Sequence, residues 1–529
     1  YNIAVNDKTN AQAALNRYTS LVAKSAHTSI RKYQLYRRAL EIASDVKVQN
    51  RLINLLGETH TYQALMLVEK YMDNKATAEA AAEAVRTIAS KNSENFGGEP
   101  VRKALEKAIA CFKEAGHADA GYAIDDINAI LQRLPQAAYI PIFGNAEWTV
   151  IALNPAQKAS MNPKKIKKHE ALTATTSDLW KITENGIAYT GGKNAILGTG
   201  NYENFELWFE WKGTGKAGLG DKSGALSGNI KTKNTPEKVA DNIAGEWNTV
   251  YVKVLNDRVT VSVNGVVTAT NIILENSCDR NIPAYVKGQL MLIGEGTPVE
   301  YREMYIRELP STPKFNLPAE EAKEGFEILF DGTSMHKWTG NTTDYVPVDG
   351  TIYVTAQYGG SGNLYTVKEY SDFVFRFEFA FMREGVNNGV GIRTPMGVDA
   401  AYEGMEIQIL DHDAPIYKGL REYQQHGSVY GIIPAKRVKF PALGEWNTEE
   451  IRAVGDRITV TVNGEIILDG NIREACQGHN VSEDGSTKNP HTVDRKNHPG
   501  LFNKSGHIGF LGHGAGVKFR NIRIKDLSK

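Results

Sequence analysis

Polar side chains suited to catalysis alternate with apolar ones along residues 402–411. In a β-strand, Tyr402, Glu406 and Gln408 would share one face, while the intervening methionine and isoleucines would share the other. A carboxylate is a candidate proton acceptor, and an aromatic ring beside polar groups is suited to stacking on a sugar. The pattern therefore favours a carbohydrate cleft on the polar face, with an exposed sheet face as the alternative.

Two flanking segments supply further candidates for the same site. Residues 387–393 also alternate, which would bring Asn388 or Arg393 beside the polar face, depending on the register of the strands. Farther along the chain come His426, Tyr430 and Lys436. Imidazole, phenol and ammonium groups transfer protons or donate hydrogen bonds, so these residues are candidate members of the site.

Histidine is concentrated in this part of the chain. Eight of the twelve histidines lie between residues 325 and 529. Imidazole ligates metals and exchanges protons near neutral pH. A single histidine is more often structural, by roughly two to one, but the concentration favours an active site here.

The charge balance argues against polyanionic partners. Sixty-one basic and sixty-one acidic side chains cancel, so no net field attracts nucleic acid or an anionic membrane surface. No run of about eighteen apolar residues occurs, and we expect no transmembrane segment. A small neutral substrate fits this balance.

Residues 1–135 predict a helical domain. Apolar side chains recur at three- and four-residue intervals, as at Leu65, Val68 and Met72. Successive helix pairs separated by short polar turns resemble an α-solenoid of the HEAT or armadillo kind. That interpretation leaves room for a protein partner on these helices, whereas a helical bundle serving as a spacer is the alternative.

From about residue 139 the chain becomes rich in strands and contains an internal duplication. Gly-Glu-Trp-Asn and a following strand with an Asn-Gly end both occur twice at one common offset, at residues 245–248 and 257–265 and again at 444–447 and 456–464. The second Asn-Gly, Asn463-Gly464, predicts a tight hairpin turn. We therefore expect two sister β-domains, over residues 137–310 and 325–529.

The second copy is the longer of the two. Between a shared glutamate and a shared tryptophan the first copy has 37 positions and the second has 68. Between the hairpin glycine and the next shared glycine the numbers are 23 and 42. Additions to loops commonly build sites, although neutral insertion is the alternative. The polar stretch 471–504 within the second addition is expected to be a mobile flap.

Five motifs of the second copy together resemble the 3-keto-disaccharide hydrolase family, also described as a 3-keto-glucoside 1,2-lyase and 3-keto-2-hydroxyglucal hydratase domain. They lie at residues 326–338, 388–393, 402–411, 444–447 and 506–512. The resemblance covers essentially all of residues 325–529. The first copy is similar in fold, but we find no counterpart of residues 388–393 and 403–411, so we expect it to be degenerate and non-catalytic.

The expected fold is therefore multidomain: an N-terminal all-α, HEAT/armadillo-like domain followed by two concanavalin A-like β-jelly-roll sandwiches. The resemblance implies an enzyme that cleaves 3-keto-glucosides or disaccharides by C2 proton abstraction and β-elimination, with hydration completing a net hydrolysis. It also implies a periplasmic, surface or secreted protein of Bacteroidetes-type bacteria. A lectin-like sugar-binding protein is the alternative, because similar folds bind sugars without chemistry. A scaffold whose helices recruit a partner is a third.

For this chemistry we expect Glu406 or His426 to act as the base, with Arg393 or a divalent metal ion (Ca²⁺, Mn²⁺ or Mg²⁺) polarising the ketone. The expected substrate contacts are polar or aromatic: Asn388, Tyr402, Gln408, Tyr430 and Lys436. The candidate metal ligands carry oxygen or imidazole donors: Glu406, Gln408, Asp411, His426 and His513. Neither spacing nor resemblance fixes which residue performs which step.

Overall fold

The computed structural model describes most of the chain. The described residues are 1–116, 119–144, 147–151, 161–173, 177–214, 218–221, 224–225, 240–274, 283–355 and 362–528. They belong to two compact units, Tyr1–Pro310 and Ser311–Lys529. Within the described part, no helix has the length and apolar content needed to cross a bilayer.

Eight helices open the chain, which confirms the helical prediction. They are α1 (Asn2–Asn6), α2 (Ala11–Lys24), α3 (Ser29–Leu40), α4 (Val46–Gly57), α5 (Tyr62–Glu69), α6 (Ala78–Lys91), α7 (Gly98–Ala115) and α8 (Ala120–Gln132). Thr28, Asp45 and Thr61 cap α3, α4 and α5, because each side chain accepts a hydrogen bond from a backbone N–H of the first turn. The periodic residues Leu65 and Val68 are buried in the helical core.

The helices pack against the first β-sandwich within the first unit. The Gln34 amide of α3 donates hydrogen bonds to Thr249 Oγ1 and Asn264 Oδ1 at 2.8 and 2.7 Å. The Tyr62 hydroxyl of α5 donates to the Tyr139 carbonyl at 2.8 Å. The helical region and the first sandwich therefore form one compact unit, and a division at residues 135–137 stays a prediction.

The first sandwich consists of two antiparallel sheets. The eight-stranded sheet contains β1 (Ile140–Pro141), β3 (Trp180–Thr183), β4 (Gly186–Tyr189), β6 (Asn204–Gly213), β9 (Asn248–Leu255), β10 (Arg258–Val263), β11 (Val266–Ile273) and β13 (Val299–Leu309). The five-stranded sheet contains β2 (Trp148–Ile151), β5 (Ala195–Tyr202), β7 (Gly218–Asp221), β8 (Gly224–Ala225) and β12 (Gly288–Gly294). Helix α9 (Pro163–Thr173) follows β2.

The second sandwich is built in the same way. Its eight-stranded sheet contains β14 (Phe326–Phe330), β16 (Tyr345–Val348), β17 (Thr351–Val354), β19 (Phe373–Phe381), β22 (Asn447–Val454), β23 (Arg457–Val462), β24 (Glu465–Asn471) and β26 (Val517–Asp526). Its five-stranded sheet contains β15 (Trp338–Gly340), β18 (Leu364–Thr366), β20 (Asn387–Thr394), β21 (Met405–Leu410) and β25 (His507–Phe510). Three short helices belong to this unit: α10 (Ala319–Glu324), α11 (Ala400–Glu403) and α12 (Ile472–Ala475).

The two sandwiches have the same topology, strand for strand. The order β11-β10-β9-β6-β13-β4-β3 in the first corresponds to β24-β23-β22-β19-β26-β17-β16 in the second. The order β2-β5-β12-β7-β8 corresponds to β15-β18-β25-β20-β21. Asn463 and Gly464 have φ of 51° and 84°, the left-handed conformations that a tight hairpin turn between β23 and β24 requires. The sandwich fold predicted from the duplication is confirmed.

Two expectations about the differences between the copies were wrong. The first copy does have counterparts of β20 and β21, but these strands, β7 and β8, are only four and two residues long. The stretch 471–504 is a folded segment, because its residues Asn489 and His498 are fully buried. His498 Nδ1 lies 2.9 Å from the Ala401 carbonyl, which ties this segment to α11.

Candidate active site

One row of residues crosses the outer face of the five-stranded sheet in the second sandwich. Strand pairing aligns Thr339 of β15, Tyr365 of β18, Gly509 of β25, Gly391 of β20 and Glu406 of β21. Residues on the opposite face, such as Phe510, pack in the core between the two sheets. The two central glycines leave the middle of the row without side chains, so Tyr365 and Glu406 stand on either side of it.

Glu406 lies flat on the sheet because its neighbour on β20 is a glycine. A Cβ atom at Gly389 would lie 2.3 Å from Glu406 Oε1, so any other residue would displace the carboxylate. The Glu406 side chain is buried, with 4% exposed. Among the described residues, no group forms a hydrogen bond with Oε1. A buried carboxylate oxygen without a hydrogen bond is costly unless an ion, a water molecule or a ligand meets it.

His513 provides the charge nearest to that oxygen. Its Nε2 lies 3.4 Å from Glu406 Oε1, within ion-pair distance although too poorly aligned for a hydrogen bond in this conformation. The interaction with Glu406 raises the pKa of His513 above its usual 6.5, with a smaller contribution from Asp399. The His513 side chain is 45% exposed, so it can exchange protons with solvent or a ligand. Glu406 and His513 together form a carboxylate–imidazole pair at the sheet surface.

Gln408 shares the face with Glu406, as the alternation predicted. Its Nε2 donates a hydrogen bond to Asn387 Oδ1 at 3.0 Å. Its Oε1 is buried and has no hydrogen-bond partner in the described ranges. Two unsatisfied acceptor oxygens thus lie on one face of β21, where hydroxyl groups of a sugar are suitable donors.

A cavity of about 480 Å³ adjoins this pair at His513. Its walls come from the β15 and β18 ends of the sheet and from the loop that leads into α11. The lining residues are Gly340, Asn341, Gly362, Asn363, Tyr365, Met396, Gly397, Val398, Asp399, Ala400, Leu511 and His513. The volume is in the range of pockets that hold small molecules.

Aromatic residues border the site on the other side of Glu406. The backbone N–H of Tyr430 donates to the Glu406 carbonyl at 2.9 Å. Burial raises the pKa of the Tyr430 phenol, and the nearby Tyr402 and Glu406 add to the rise. Lys496 Nζ donates to the Tyr402 hydroxyl at 2.8 Å. Glu406, Gln408 and His513 are therefore brought together, with Tyr430 close to Glu406. Tyr402 lies near Tyr430 but belongs to α11, so the prediction that it shares a strand face with Glu406 was wrong.

His426, the alternative base, lies elsewhere. Its side chain is completely buried, its Nδ1 accepts from the Leu410 N–H at 3.1 Å, and its ring packs on Phe379. Phe379 belongs to the eight-stranded sheet, so His426 faces the core between the sheets. His426 lies on the core side of the five-stranded sheet, opposite to Glu406 and His513, so the structure does not bring it into the candidate site.

Arg393 also lies outside the candidate site, where its side chain forms structural hydrogen bonds. Its guanidinium donates to the carbonyls of Ser371 and Gly455, both at 2.7 Å, and to the Asp372 carboxylate at 3.0 Å. The residue is 2% exposed. These bonds use the donors that would have polarised a ketone, so the electrophilic role expected for Arg393 is not supported.

Two predicted substrate contacts do not lie on the site face. Asn388 is fully buried, and its Nδ2 donates to the Tyr345 hydroxyl of the eight-stranded sheet at 3.1 Å. It therefore points into the core, opposite to Glu406. Lys436 is exposed, and its backbone N–H pairs with the Ile467 carbonyl of β24 at 2.8 Å. The sequence left the register of β20 open, and it is this register that turns Asn388 toward the core.

The five candidate metal ligands do not converge. Glu406 and His513 are close, but Asp411 accepts a hydrogen bond from the Gly385 N–H at 2.9 Å at the far end of β21. His426 is enclosed in the core. Gln408 contacts Asn387. No three of these residues form a ligand cluster among the described residues, so the structure does not bring together the set predicted for Ca²⁺, Mn²⁺ or Mg²⁺.

Sequence reasoning missed Tyr365, Asp399 and Lys496. Tyr365 follows a glycine-rich stretch of sequence and has no distinguishing motif, so only the strand pairing places it in one row with Glu406. Lys496 lies in the second insertion, 94 positions from Tyr402. The one feature of the sequence that could have pointed to Lys496 is that its insertion occurs only in the longer copy.

The first sandwich lacks the same chemistry at the corresponding positions. Its equivalent row is Thr149, Gly198, Met291, Gly220 and Ala225. Ala225 stands where the second copy has Glu406, and Gly198 stands where it has Tyr365. The carboxylate and the aromatic ring are both absent from this row, so the corresponding face of the first copy carries neither the candidate base nor the aromatic ring of the second.

Several known proteins are similar to part of this chain. A 3-keto-disaccharide hydrolase of Bacteroides thetaiotaomicron VPI-5482 is 27% identical over 256 residues, covering 42% of this chain and 86% of that protein. Two solved structures from Parabacteroides distasonis ATCC 8503, each provisionally described as a glycosyl hydrolase, are 25% and 24% identical. They cover 38% and 40% of this chain and 99% of their own lengths, both with a TM-score of 0.33.

The family comparison extends over both sandwiches. The model of the 3-keto-alpha-glucoside-1,2-lyase-like domain matches residues 215–307 and 325–525, more than half of the chain. The matched stretches fall in the two copies of the duplicated fold, with the complete row of site residues in the second. The chain therefore belongs to the 3-keto-alpha-glucoside-1,2-lyase-like domain family.

Proposed function

We propose that the second sandwich cleaves 3-keto-glucosides by abstracting the proton at C2 and eliminating the substituent at C1. The observation that carries this proposal is the buried Glu406 Oε1, which lacks a hydrogen bond and lies 3.4 Å from the Nε2 of His513, a residue that lines the cavity. The family membership and the Bacteroides relative support a carbohydrate hydrolase in general. The elimination route and the 3-keto substrate are the specific parts of the proposal.

Glu406 is suited to the role of base. A ketone at C3 acidifies the C2 proton, because the electrons of the broken C2–H bond delocalise onto the ketone oxygen. The proton moves to Glu406 Oε1, which no protein hydrogen bond holds in place. A positioned base of this kind contributes roughly 10²- to 10⁴-fold to the rate.

His513 is suited to the role of acid. As the enolate collapses back to the ketone, the C1–O bond breaks and the departing oxygen needs a proton. The raised pKa of His513 keeps its imidazole protonated at higher pH than usual, and half-exposure lets it be protonated again from solvent. Addition of water across the resulting C1–C2 double bond then gives the free 3-keto sugar, so the net reaction is hydrolysis.

The face of β21 that carries Glu406 also offers contacts for binding a sugar. The unpaired Gln408 Oε1 accepts a sugar hydroxyl, and the Tyr365 ring offers an apolar surface in the wall of the adjoining cavity. Gln408 cannot ionise, which distinguishes this face from the two neighbouring carboxyls of a retaining glycosidase. The site therefore fits a substrate that carries its own electron-withdrawing ketone.

The experiment follows elimination directly. The purified protein is mixed with a 3-keto-glucoside in D₂O, and NMR records deuterium at C2 while absorbance records the enone. We expect turnover by the wild type, loss of roughly 10²-fold or more in Glu406→Gln, and no change in Glu465→Gln, an exposed carboxylate of β24. Full activity of Glu406→Gln would remove the base from the mechanism.

The same assay separates the alternative functions. Measurable binding of the ketosugar with no deuterium uptake and no product identifies a lectin-like protein instead. Equal turnover of the 3-keto-glucoside and of the ordinary glucoside identifies a conventional glycosidase, in which Asp399 of the cavity wall would be the second carboxyl to test.

Location and partner are further parts of the proposal. A periplasmic or surface location fits an enzyme for external glycosides and is tested by cell fractionation. A protein partner on the helices would have to use surface other than that which contacts the first sandwich through Gln34 and Tyr62. Pull-down with the full chain tests it.

A further inference from the structure

We propose that His479, Glu483 and His491 bind a divalent transition-metal ion of the Zn²⁺ class, at a site separate from Glu406. The three residues lie in the second insertion, within the folded segment 471–504. Among the described residues, they form the one group of three histidine, cysteine or acidic side chains whose ligand atoms converge, all within 4.8 Å of one another. The proposal does not depend on the proposed function of the sandwich.

The three donors lie close enough for one ion to draw them together. His479 Nδ1 lies 3.6 Å from Glu483 Oε1, and His491 Nε2 lies 3.8 Å from Glu483 Oε2. These distances are too long for good hydrogen bonds. Ligand bonds of about 2.0–2.2 Å at tetrahedral angles place neighbouring donors about 3.3–3.5 Å apart. The donors, which lie within 4.8 Å of one another, would therefore move closer on metal binding, and the two stacked imidazole rings would turn toward the common ion.

Hydrogen bonds with Gln477 and Asn489 hold the two histidines in place. His491 Nδ1 lies 3.2 Å from Gln477 Oε1, an acceptor, so Nδ1 carries the proton and the Nε2 lone pair faces Glu483. The fully buried Asn489 joins the two histidines, because its Nδ2 donates to the His479 carbonyl and its Oδ1 accepts from the His491 N–H. Such outer partners fix the tautomer and orientation of ligating imidazoles in metal sites.

The ligand set identifies the class of ion. Two imidazoles and one carboxylate suit Zn²⁺ and similar transition metals better than Ca²⁺ or Mg²⁺, which prefer oxygen. Three protein ligands leave a fourth position for water. The side chains are 36%, 68% and 21% exposed for His479, Glu483 and His491, so an ion from solvent can reach them.

The ion would cross-link the insertion that borders the candidate active site. Metal bonds would link residues 479 and 483 to residue 491 within one long loop. Lys496 and His498 follow a few positions later in the same loop. Lys496 donates to Tyr402, and His498 contacts the Ala401 carbonyl and the Asp494 carboxylate. Metal binding would therefore stabilise the wall that carries Tyr402.

The test is a Zn²⁺ titration of the full chain by calorimetry, after dialysis against chelator and then chelator-free buffer. We expect one Zn²⁺ per chain, a higher melting temperature with Zn²⁺, and tetrahedral d–d absorption when Co²⁺ replaces it. The double variant His479→Ala/His491→Ala should lose this binding, and Gln477→Ala should weaken it roughly 10- to 100-fold. Because these three residues are partly exposed, circular dichroism should show folded protein.

Two controls assign the binding to this cluster. His27→Ala removes an exposed histidine of the helical region and should leave the titration unchanged. His513→Ala removes the imidazole of the candidate active site and should also leave it unchanged. Absence of Zn²⁺ binding by the wild type, or full retention of it by the double variant, would show that the histidines only form ion pairs with Glu483.

Discussion

The His426 Nε2 lies 3.3 Å from Glu449 Oε2, and neither side chain has any exposed surface. Burial raises the pKa of Glu449, while the contact with His426 opposes the rise. His426 is enclosed by Phe379, Phe381 and Phe440, far from solvent. The pair is thus an internal polar contact of the second sandwich rather than a proton-transfer pair.

Replacement of His426 should therefore affect stability and not chemistry. We expect His426→Ala to lower the free energy of unfolding by about 3–5 kcal/mol, because Glu449 loses its partner in a buried site. The turnover of ketosugar per folded molecule should stay within about twofold of the wild type. Denaturant unfolding of the full chain measures the first quantity, and the double variant His426→Phe/Glu449→Leu should recover much of the loss. A selective loss of turnover in stable protein would restore His426 as a catalytic residue.

Gly389→Ala tests whether Glu406 must lie flat on β20. The added Cβ would lie 2.3 Å from Glu406 Oε1, so the carboxylate must turn away from His513. We expect turnover to fall by at least tenfold, because the carboxylate no longer faces His513, and circular dichroism should show that the variant is folded. Gly419→Ala is the matched control, because its Cβ would meet nothing within 4 Å. Equal kinetics of the two variants would contradict the proposed geometry.

The sequence predicts the fold more completely than it predicts the candidate active site. Duplicated strands and turns identified both sandwiches, because alternation and Asn-Gly turns are local signals. The alternation of 402–411 also placed Glu406 and Gln408 on one face correctly. The face of β20 could not be obtained this way, because a shift of one residue exchanges Asn388 with Gly389.

The sequence could not predict the positions of His426, Arg393 and Lys496, because these depend on contacts between segments that are far apart in the chain. His426 and Arg393 are residue types that serve catalysis and structure equally well, and only their burial with Glu449 and Asp372 distinguishes the two. Lys496 reaches Tyr402 only through the folding of the second insertion. Such contacts have no periodic signature in a single sequence.

The titration of His513 should depend on Glu406. The interaction with Glu406 raises the pKa of His513 above 6.5 and outweighs the effect of burial, which lowers it, so NMR of the imidazole should show a raised pKa in the wild type and a lower one in Glu406→Gln. Because the folded-state pKa is raised, the stability from this pair is fully present below about pH 6.5 and is lost as the pH rises through the folded value. If His513 donates the proton to the leaving oxygen, turnover falls over the same upper range. An unchanged pKa in Glu406→Gln would show that the pair is not coupled in solution.

Arg37 should hold the helices to the first sandwich. Its guanidinium in α3 lies 2.9 Å from Glu303 of β13 and 3.6 Å from the fully buried Glu210 of β6. Glu210 keeps a second partner in Arg302, at 2.6 Å, whereas Glu303 loses its ion-pair partner when Arg37 is removed. We expect Arg37→Ala to lower the free energy of unfolding of the first unit by about 3 kcal/mol and to leave ketosugar turnover unchanged. Arg37→Lys should recover only part of the loss, because one ammonium cannot bridge both carboxylates. Arg17→Ala, at an exposed position of α2, is the control, and equal unfolding curves for Arg17→Ala and Arg37→Ala would refute the role of the buried contact.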